Sequence, residues 1–238
     1  MSEVTGKPVS KSYLVRMAVE EILADLDEDD SVPAERELAL RFAVARETVR
    51  QALHELLVEG RIERRGRGTV VAKPKLTQPL SLKSYTEGAQ TMGRKPGRLL
   101  VNWCDVAPTA ELAAALEIPD GEPVMHLERV LLADGQRIGL ESSYLPRHRF
   151  ADLYQSFDPT TSLYAAVRAT GVVFGTAVEQ IETVLASPRE AELLESTTAM
   201  PMLRLNRRSV DTEDRPIEVV RSLYRGDRVA FEALLIDR

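Results

Sequence analysis

An internal repeat constrains the fold of the C-terminal two thirds of the chain. The segment EPVMHLER at residues 122–129 corresponds to MPMLRLNR at residues 200–207, and residues 108–116 correspond to residues 188–194 further upstream. The copies are offset by about 79 residues. Each copy predicts a strand, a short helix, a long strand, a hairpin and a final strand. Two such copies predict one α+β domain with a pseudo-symmetric antiparallel sheet.

Turns and helices complete this pattern. Hairpin turns are predicted at residues 133–136, which read Ala-Asp-Gly-Gln, and at residues 212–215. Between the copies, residues 148–157 and 161–169 are typical of helices. A sheet built from facing copies leaves a cleft between them, which predicts a ligand pocket. A purely structural dimerisation domain is the alternative.

Three short helices are predicted in the first 74 residues. The second begins after Pro33, and the third runs from about Arg46 to Val58 and ends before Gly60. Two helices separated by only a few residues are the helix-turn-helix arrangement. The first helix spans roughly residues 12–26, and the apolar residues at helical spacing in it are Leu14, Met17, Ala18 and Ile22.

The third helix has one apolar and one polar side. Val49, Leu53 and Leu56 share a stripe that faces the other helices. The opposite side carries Arg46, Glu47, Arg50, Gln51 and His54. An exposed arginine pair near a helix N-terminus suits the major groove of DNA, where a guanidinium reads guanine or binds phosphate. A solvated helix face with Arg–Glu pairs is the alternative at this point.

A turn rich in glycine and arginine follows. Two β-prone segments, residues 61–64 and 70–72, flank residues 65–69, which read RGRGT and predict a β-hairpin wing. Although the chain carries a net charge of −6, residues 61–75 are strongly basic. Such a local cationic segment indicates contact with the DNA backbone. Its basic residues, against Glu63 alone, are Arg61, Arg64, Arg65, Arg67, Lys73 and Lys75.

Together these segments resemble the GntR family of bacterial regulators. The similarity is carried by residues 32–39, 44–53, 59–64 and 66–69. It implies a winged helix-turn-helix domain over residues 1–74. Glu47 departs from the small polar residue that is usual there, and the wing is one residue shorter than usual. The residues implied to contact double-stranded DNA are Arg36, Arg46, Glu47, Thr48, Arg50, Gly66, Arg67 and Gly68.

The remainder resembles the UTRA effector domain of the HutC-like branch of this family, whose fold is similar to chorismate lyase. The residues around Pro74 and Pro79 are typical of a short linker, which we place at residues 75–82. The resemblance implies that residues 83–238 form an α+β domain that binds a small molecule and forms a homodimer. The segments that carry it are residues 82–87, 127–129, 141–145, 161–164 and 218–225.

Some members of that branch, including regulators of N-acetylglucosamine use, bind a sugar phosphate in the cleft. They often carry a second arginine where this chain has Leu131, so the effector is either a different metabolite or a weakly bound phosphate. Arg129 is then the one cation that we expect in the cleft. The resemblance places the phosphate near Ser84, Thr86, Arg129, Ser162 and Tyr164. It places the sugar near Glu141, Glu218 and Tyr224, of which the last two share a strand face because they are six residues apart.

Several classes of protein are excluded or disfavoured by composition. Cys104 is the only cysteine, so an intrachain disulfide and a cysteine-rich zinc site are excluded. With only three histidines we expect neither a metal site nor a cofactor. No apolar run approaches the roughly 20 residues of a membrane helix, and the N-terminus does not read as a signal peptide. We therefore expect a cytoplasmic protein with no membrane partner.

These features predict a ligand-responsive repressor of a sugar or amino-sugar operon, which is released from or modulated at an inverted-repeat operator. Two alternatives remain. One is a DNA-binding regulator whose sensor domain binds no ligand. The other is a lyase-like enzyme, although no nucleophile–histidine arrangement or distinctive carboxylate spacing supports it.

Overall fold

The chain forms two compact units, Met1–Lys75 and Leu76–Arg238. The structure is a computed structural model and describes residues 9–235.

The first unit contains three helices followed by a hairpin. The first helix begins after Ser10, whose hydroxyl accepts a hydrogen bond from the Tyr13 backbone N–H at 3.2 Å. The elements are α1 (Lys11–Ala24), α2 (Glu35–Arg41), α3 (Arg46–Val58), β1 (Ile62–Arg65) and β2 (Gly68–Val71).

The buried face of α1 differs from the one that the sequence predicts. Val15, Val19 and Leu23 are buried, whereas Leu14 and Met17 are exposed. The helix carries two apolar stripes side by side, and helical spacing alone does not choose between them. Packing against α3 and the rest of the core selects the stripe with the β-branched valines.

The wing is a two-stranded antiparallel hairpin, β1 with β2. Its two-residue turn is Gly66-Arg67, and Gly66 has a φ of +58°, which fits the first turn position of a type II′ hairpin. Residues 29–32 run beside β2, since Val32 N donates to Thr69 O at 2.9 Å. This segment therefore adds a short edge to the wing.

Among the described residues, the second unit contains thirteen helices and strands arranged around one large sheet. The strands Leu76–Pro79 and Val229–Glu232 pair in parallel, so residues 76–79 belong to this unit and not to the linker that the sequence predicts there. The elements are β3 (Leu76–Pro79), α4 (Tyr85–Thr91), β4 (Pro96–Val106), α5 (Ala110–Leu116), β5 (Val124–Ala133), β6 (Gln136–Pro146), α6 (Leu153–Ser156), α7 (Leu163–Ala169), β7 (Phe174–Leu185), α8 (Pro188–Leu193), β8 (Pro201–Asp211), β9 (Pro216–Arg225) and β10 (Val229–Glu232).

The large sheet has six antiparallel strands in the order β4-β5-β6-β9-β8-β7. One copy of the repeat supplies β4, β5 and β6, and the other supplies β7, β8 and β9. The copies meet where β6 pairs with β9, with Ser143 opposite Val220. The pseudo-symmetric antiparallel sheet predicted from the repeat is therefore confirmed.

The predicted hairpin turns are present, but one predicted helix is mostly absent. Asp134 and Gly135 both have positive φ, as a type I′ turn requires. Residues 147–152 form turns, and only Leu153–Ser156 is helical within the predicted helix at 148–157. Arg149 explains the difference, because its guanidinium donates to the carbonyl of Pro216 at 2.6 Å and so ties this segment to the β8–β9 hairpin.

Candidate functional site

The exposed face of α3 is the first candidate site. Val49, Leu53 and Leu56 are buried, as the sequence predicts, and Thr48 is half-buried at the edge of the exposed side. The exposed residues are Arg46, Glu47, Arg50, Gln51 and His54. The helix therefore presents a polar, arginine-bearing surface close to its N-terminus.

The arginines near this face differ in their partners. Arg50 Nη1 donates to Glu47 Oε2 at 2.7 Å. The two side chains are 56% and 77% exposed, so the ion pair contributes little and exchanges readily for a phosphate or a base edge. Within residues 9–235, neither a hydrogen bond nor an ion pair involves the side chains of Arg36, Arg46 and Arg67.

The wing lies beside this face. Glu35, at the start of α2, bridges the two, since its carboxylate is 3.6 Å from Arg50 Nε and 3.6 Å from Arg64 Nη2. Arg67 is exposed in the hairpin turn, and Gly66 and Gly68 flank it. The arrangement gives one continuous surface of α3 and wing arginines that can contact a DNA backbone.

The second candidate site is a polar cavity within the second unit, bordered by strands of the large sheet and by α4 and α7. Thr86 is the one proposed effector residue that does not line it, but the Thr86 hydroxyl accepts a hydrogen bond at 2.7 Å from Arg98, which does. The proposed effector residues that line the cavity are Ser84, Arg129, Glu141, Ser162, Tyr164, Glu218 and Tyr224.

Arg129 is the most buried cation of the cavity, with 3% of its side chain exposed. Its Nη2 donates to Glu141 Oε1 at 2.6 Å, and its Nη1 donates to the carbonyl of Thr161 at 2.9 Å. Its Nε is buried and has no hydrogen-bond partner. Because a buried unpaired donor is costly, this N–H is a ready contact for a ligand oxygen.

Two serine hydroxyls of the cavity stand at helix N-termini. Ser84 Oγ accepts from the Glu87 backbone N–H at 3.2 Å in a capping box at the start of α4. Ser162 Oγ accepts from the Ala165 backbone N–H at 3.3 Å at the start of α7. Each hydroxyl acts as an acceptor in its cap and keeps a hydrogen that it can donate to a ligand.

A buried network surrounds Glu218, which is 1% exposed. The hydroxyls of Tyr164 and Ser209 donate to Glu218 Oε1 at 2.5 and 3.1 Å. Arg207 Nη1 donates to the Tyr164 oxygen at 3.2 Å, and the rest of its guanidinium is held bidentately by Glu179. Burial raises the pKa of Glu218 to about 7 and raises that of Tyr164 well above its usual value. Glu218 is therefore poised between a neutral and a charged form near neutral pH.

The expectation that Arg129 is the one cation in the cleft is wrong. Arg98, Arg207 and Lys83 also line the cavity. Arg207 occupies the position in the second repeat that Arg129 occupies in the first, so the repeat itself was a signal that could have identified it. Arg98 lies on β4 opposite Leu131, a pairing that the sequence did not reveal.

Leu131 itself lies in an apolar cluster and not on the cavity surface. It is fully buried and packs in one cluster with Tyr85, Tyr224 and Val229. The position that holds a second arginine in some relatives is therefore part of the core here.

Neither a metal site nor a membrane-spanning helix occurs in the part of the chain that the structure describes. Among residues 9–235, no group of three or more His, Cys, Asp and Glu side chains could hold a metal ion. Among the helices of these residues, none is both long and apolar enough to cross a membrane.

Comparison with known proteins gives matches to both units. The family model for bacterial regulatory proteins of the gntR family matches residues 15–71, and the model for the UTRA domain matches residues 91–230. The HTH-type transcriptional repressor PhnF of Mycolicibacterium smegmatis is 49% identical over 227 residues, which cover 95% of this chain and 93% of that protein. The HTH-type transcriptional repressor NagR of Bacillus subtilis is 34% identical over 209 residues, covering 87% of this chain and 86% of that protein. The crystal structure of PhnF from Mycobacterium smegmatis matches with a TM-score of 0.70 at 50% identity, and the match covers 94% of this chain and all of that one.

Proposed function

Because the chain belongs to the GntR family and is a transcriptional repressor of the type that carries a UTRA domain, we propose that a small metabolite controls its affinity for operator DNA. The metabolite binds in the polar cavity of the second unit, and the operator is an inverted repeat. In this proposal the protein acts as a homodimer and each winged helix reads one half-site. We assign DNA binding to the first compact unit and effector binding to the second.

The proposed ligand binding is supported mainly by the polar lining of the cavity, in which a buried hydrogen-bond donor has no partner from the protein. Arg129 is buried there with an unpartnered Nε. A buried unpaired N–H costs about 1–3 kcal/mol. A ligand with an anionic or strongly polar end removes this cost.

The rest of the lining supports a polyhydroxylated ligand. Glu141 and Glu218 supply carboxyl oxygens to the lining, and Tyr164 and Ser162 supply hydroxyls. Carboxyl and hydroxyl groups distributed in this way suit the many hydroxyls of a sugar or amino sugar. We therefore infer that the controlled genes serve uptake or breakdown of such a compound.

The DNA half of the proposal rests on α3 and the wing. Arg46 and Arg50 are exposed and lie one helical turn apart near the N-terminus of α3, which is the part of a recognition helix that reaches base edges. Glu47 lies between them and is suited to accept a hydrogen bond from a cytosine amino group. Arg67 at the wing tip is suited to a phosphate or to the minor groove.

A ligand screen coupled to operator binding tests both halves. Thermal shift is measured with sugars, sugar phosphates and amino-acid derivatives, and each compound that raises the melting temperature is then added to a complex with operator DNA. We expect at least one such compound to change operator affinity. Tight operator binding with neither a thermal shift nor a change in affinity from any compound would favour the ligand-free regulator instead. Turnover of a chorismate-like compound would favour the lyase-like enzyme.

A further inference from the structure

One carboxylate of the first unit lies between α3 and the wing. Glu35 is the first residue of α2, and 29% of its side chain is exposed. Its Oε2 atom is 3.6 Å from Arg50 Nε on α3, and its Oε1 atom is 3.6 Å from Arg64 Nη2 on β1. Each oxygen of the carboxylate therefore faces a different guanidinium group.

The backbone just before Glu35 is bonded to the wing. Val32 N donates to Thr69 O at 2.9 Å, and Thr69 is the cross-strand partner of Arg64 in the hairpin. Arg64 is held by the same threonine, because its Nη1 donates to Thr69 Oγ1 at 3.0 Å. Glu35 and Arg64 therefore meet between two tethered backbones, which limits how far either side chain can move.

Glu35 faces one edge of the Arg50 guanidinium, the edge at Nε. The two terminal nitrogens lie at the other end, where Nη1 donates to Glu47 Oε2 at 2.7 Å in a pair that is more than half exposed. Such an exposed pair is weak and exchanges readily. Because an arginine reads guanine through two parallel hydrogen bonds to O6 and N7, Glu35 leaves a suitable pair of donors free for a base edge.

The charge of Glu35 has two further effects at this surface. Arg50 and Arg64 approach the same carboxylate, and without it their like charges would repel each other. A carboxylate beside the phosphates also lowers the affinity for any duplex, whatever its sequence. A residue that orients an arginine for base reading and weakens general binding raises the ratio of specific to non-specific affinity.

We propose that Glu35 is a positioning residue for sequence readout, which raises the preference of the protein for its operator over other DNA. The carboxylate acts through Arg50 and Arg64 and does not itself contact a base. This inference rests on the proposed contact of α3 and the wing with operator DNA. It goes beyond that proposal, since Glu35 is not among the residues predicted to contact DNA.

Stabilisation of α2 is the other role that Glu35 could have. Glu35 and Glu37 both lie in the first turn of α2, where acidic side chains interact favourably with the partial positive charge of the helix N-terminus. Glu37 is exposed, and within residues 9–235 its side chain has neither an ion pair nor a hydrogen bond. Glu37→Gln therefore removes the same charge from the same turn and is the matched control.

Fluorescence anisotropy of the full chain with two duplexes tests the role of Glu35. One duplex is the sequence that the wild type selects from a random pool, and the other is a scrambled version of it. Glu35→Gln and Glu37→Gln each lose one negative charge, so both are expected to bind the scrambled duplex at least as tightly as the wild type does. Only Glu35→Gln is expected to lose preference for the selected duplex, by about threefold or more.

A second readout separates positioning from a general change in affinity. Each base pair of the selected duplex is changed in turn, and the cost of each change is compared between proteins. Glu35→Gln should lose discrimination at the base pairs where Arg50→Lys, which lacks the guanidinium fork, also loses it. Glu35→Asp keeps the charge on a shorter side chain, and its preference should lie between those of Glu35→Gln and the wild type. Melting temperatures confirm that each variant is folded.

Equal preference for the selected duplex in Glu35→Gln and Glu37→Gln would overturn the positioning role and leave Glu35 as a residue that only stabilises α2. A loss of discrimination spread evenly over all base pairs would overturn it as well. If the wild type selects no sequence from the pool, the proposed function is wrong. If it selects one and both glutamine variants read that sequence equally, only the role of Glu35 is wrong.

Discussion

The surroundings of Glu218 change its acid–base chemistry. Its carboxyl group is buried, it receives hydrogen bonds from Tyr164 and Ser209, and it lines the effector cavity. Desolvation raises its pKa to about 7, with the nearby charge of Glu141 acting in the same direction, while the bond from Tyr164 opposes this. Glu218 can therefore donate a hydrogen bond to a ligand below neutral pH and accept one above it.

The raised pKa of Glu218 predicts a pH-dependent stability. Between pH 4.5, the usual pKa, and pH 7, the folded state keeps a proton that the unfolded state releases. The stabilising contribution of this proton is complete below pH 4.5 and is lost as the pH rises through about 7. We expect Glu218→Gln to remove this dependence, which amounts to about 3 kcal/mol.

Urea denaturation at several pH values between these limits measures the effect, with the exposed Glu192→Gln as the control. A wild-type free energy of unfolding that does not fall relative to Glu218→Gln as the pH rises would contradict the assignment. Glu192→Gln should leave the pH profile of the wild type unchanged.

Arg50 and Arg67 are expected to differ in how they contribute to DNA binding. Arg50→Ala should abolish recognition of the operator with the fold intact, because a base-reading arginine is worth about 1–3 kcal/mol per half-site and a dimer loses it twice. Arg67→Ala should weaken binding to all sequences and lower the dependence of affinity on salt, as loss of a phosphate contact does. Fluorescence anisotropy with operator and with scrambled DNA at several salt concentrations separates the two outcomes. Wild-type operator affinity for Arg50→Ala would show that α3 is not the recognition helix.

Sequence patterns and family resemblance predict cavity residues only where they lie within or next to a motif. Arg129 and Glu218 were predicted in the cleft and line the cavity. Arg98 was missed because its place beside Arg129 depends on the register between β4 and β5, which includes an irregularity between Leu100 and Asn102. Register of this kind is fixed by contacts between strands and leaves no signal in either strand alone.

Among the secondary-structure elements, β7 depends on a close approach of two backbones. The β7–β8 register shifts between Phe174 and Ala177, and a Cβ atom placed on Gly175 would lie 2.4 Å from the Asp211 carbonyl oxygen. Such a contact with backbone is relieved only by moving a strand. A residue without a side chain is thus required at position 175 for β7 to pair with β8.

Two glycine substitutions in the effector unit are expected to have opposite effects. Gly175→Ala should lower the free energy of unfolding by about 1–3 kcal/mol, the cost of overpacking. Gly88→Ala should be neutral or raise it by up to about 1 kcal/mol, because Gly88 lies in α4, has open space around it, and alanine favours a helix. Urea denaturation of both variants gives the comparison, and equal stability of the two would contradict the required approach at Gly175.

The predicted elements differ from the observed ones where tertiary contacts decide. The repeat predicted the strands because each has a long apolar pattern and a turn with defined chemistry. The buried stripe of α1 and the turns at residues 147–152 were set by packing against α3 and by the bonds of Arg149. In both places the local sequence favoured a different structure, and contacts with residues distant in sequence determined the observed one.

The chain has a small polar face on α3 in the first unit and a six-stranded sheet in the second unit. The exposed face of α3 offers few side chains suited to reading bases, chiefly Arg46 and Arg50. One such face contacts too little DNA for high specificity, which a two-fold pair of faces supplies. The sheet of the second unit has exposed apolar side chains on both edge strands, Leu99 and Leu100 on β4, and Val178 and Leu185 on β7. Exposed apolar edges of this kind are suited to contact with a second copy.

We therefore expect a homodimer that binds an inverted repeat, with its main contact in the second unit. The two half-sites should be centred about one helical turn of DNA, or a multiple of it, apart, since each α3 enters a major groove on the same side of the duplex. Light scattering at micromolar concentration should give twice the mass of the 26.5 kDa chain, and titration should give two chains per operator duplex. Scrambling the sequence of one half-site should lower the affinity strongly, because the second winged helix then binds that half-site only non-specifically. A monomer in solution together with one chain per operator would contradict this expectation.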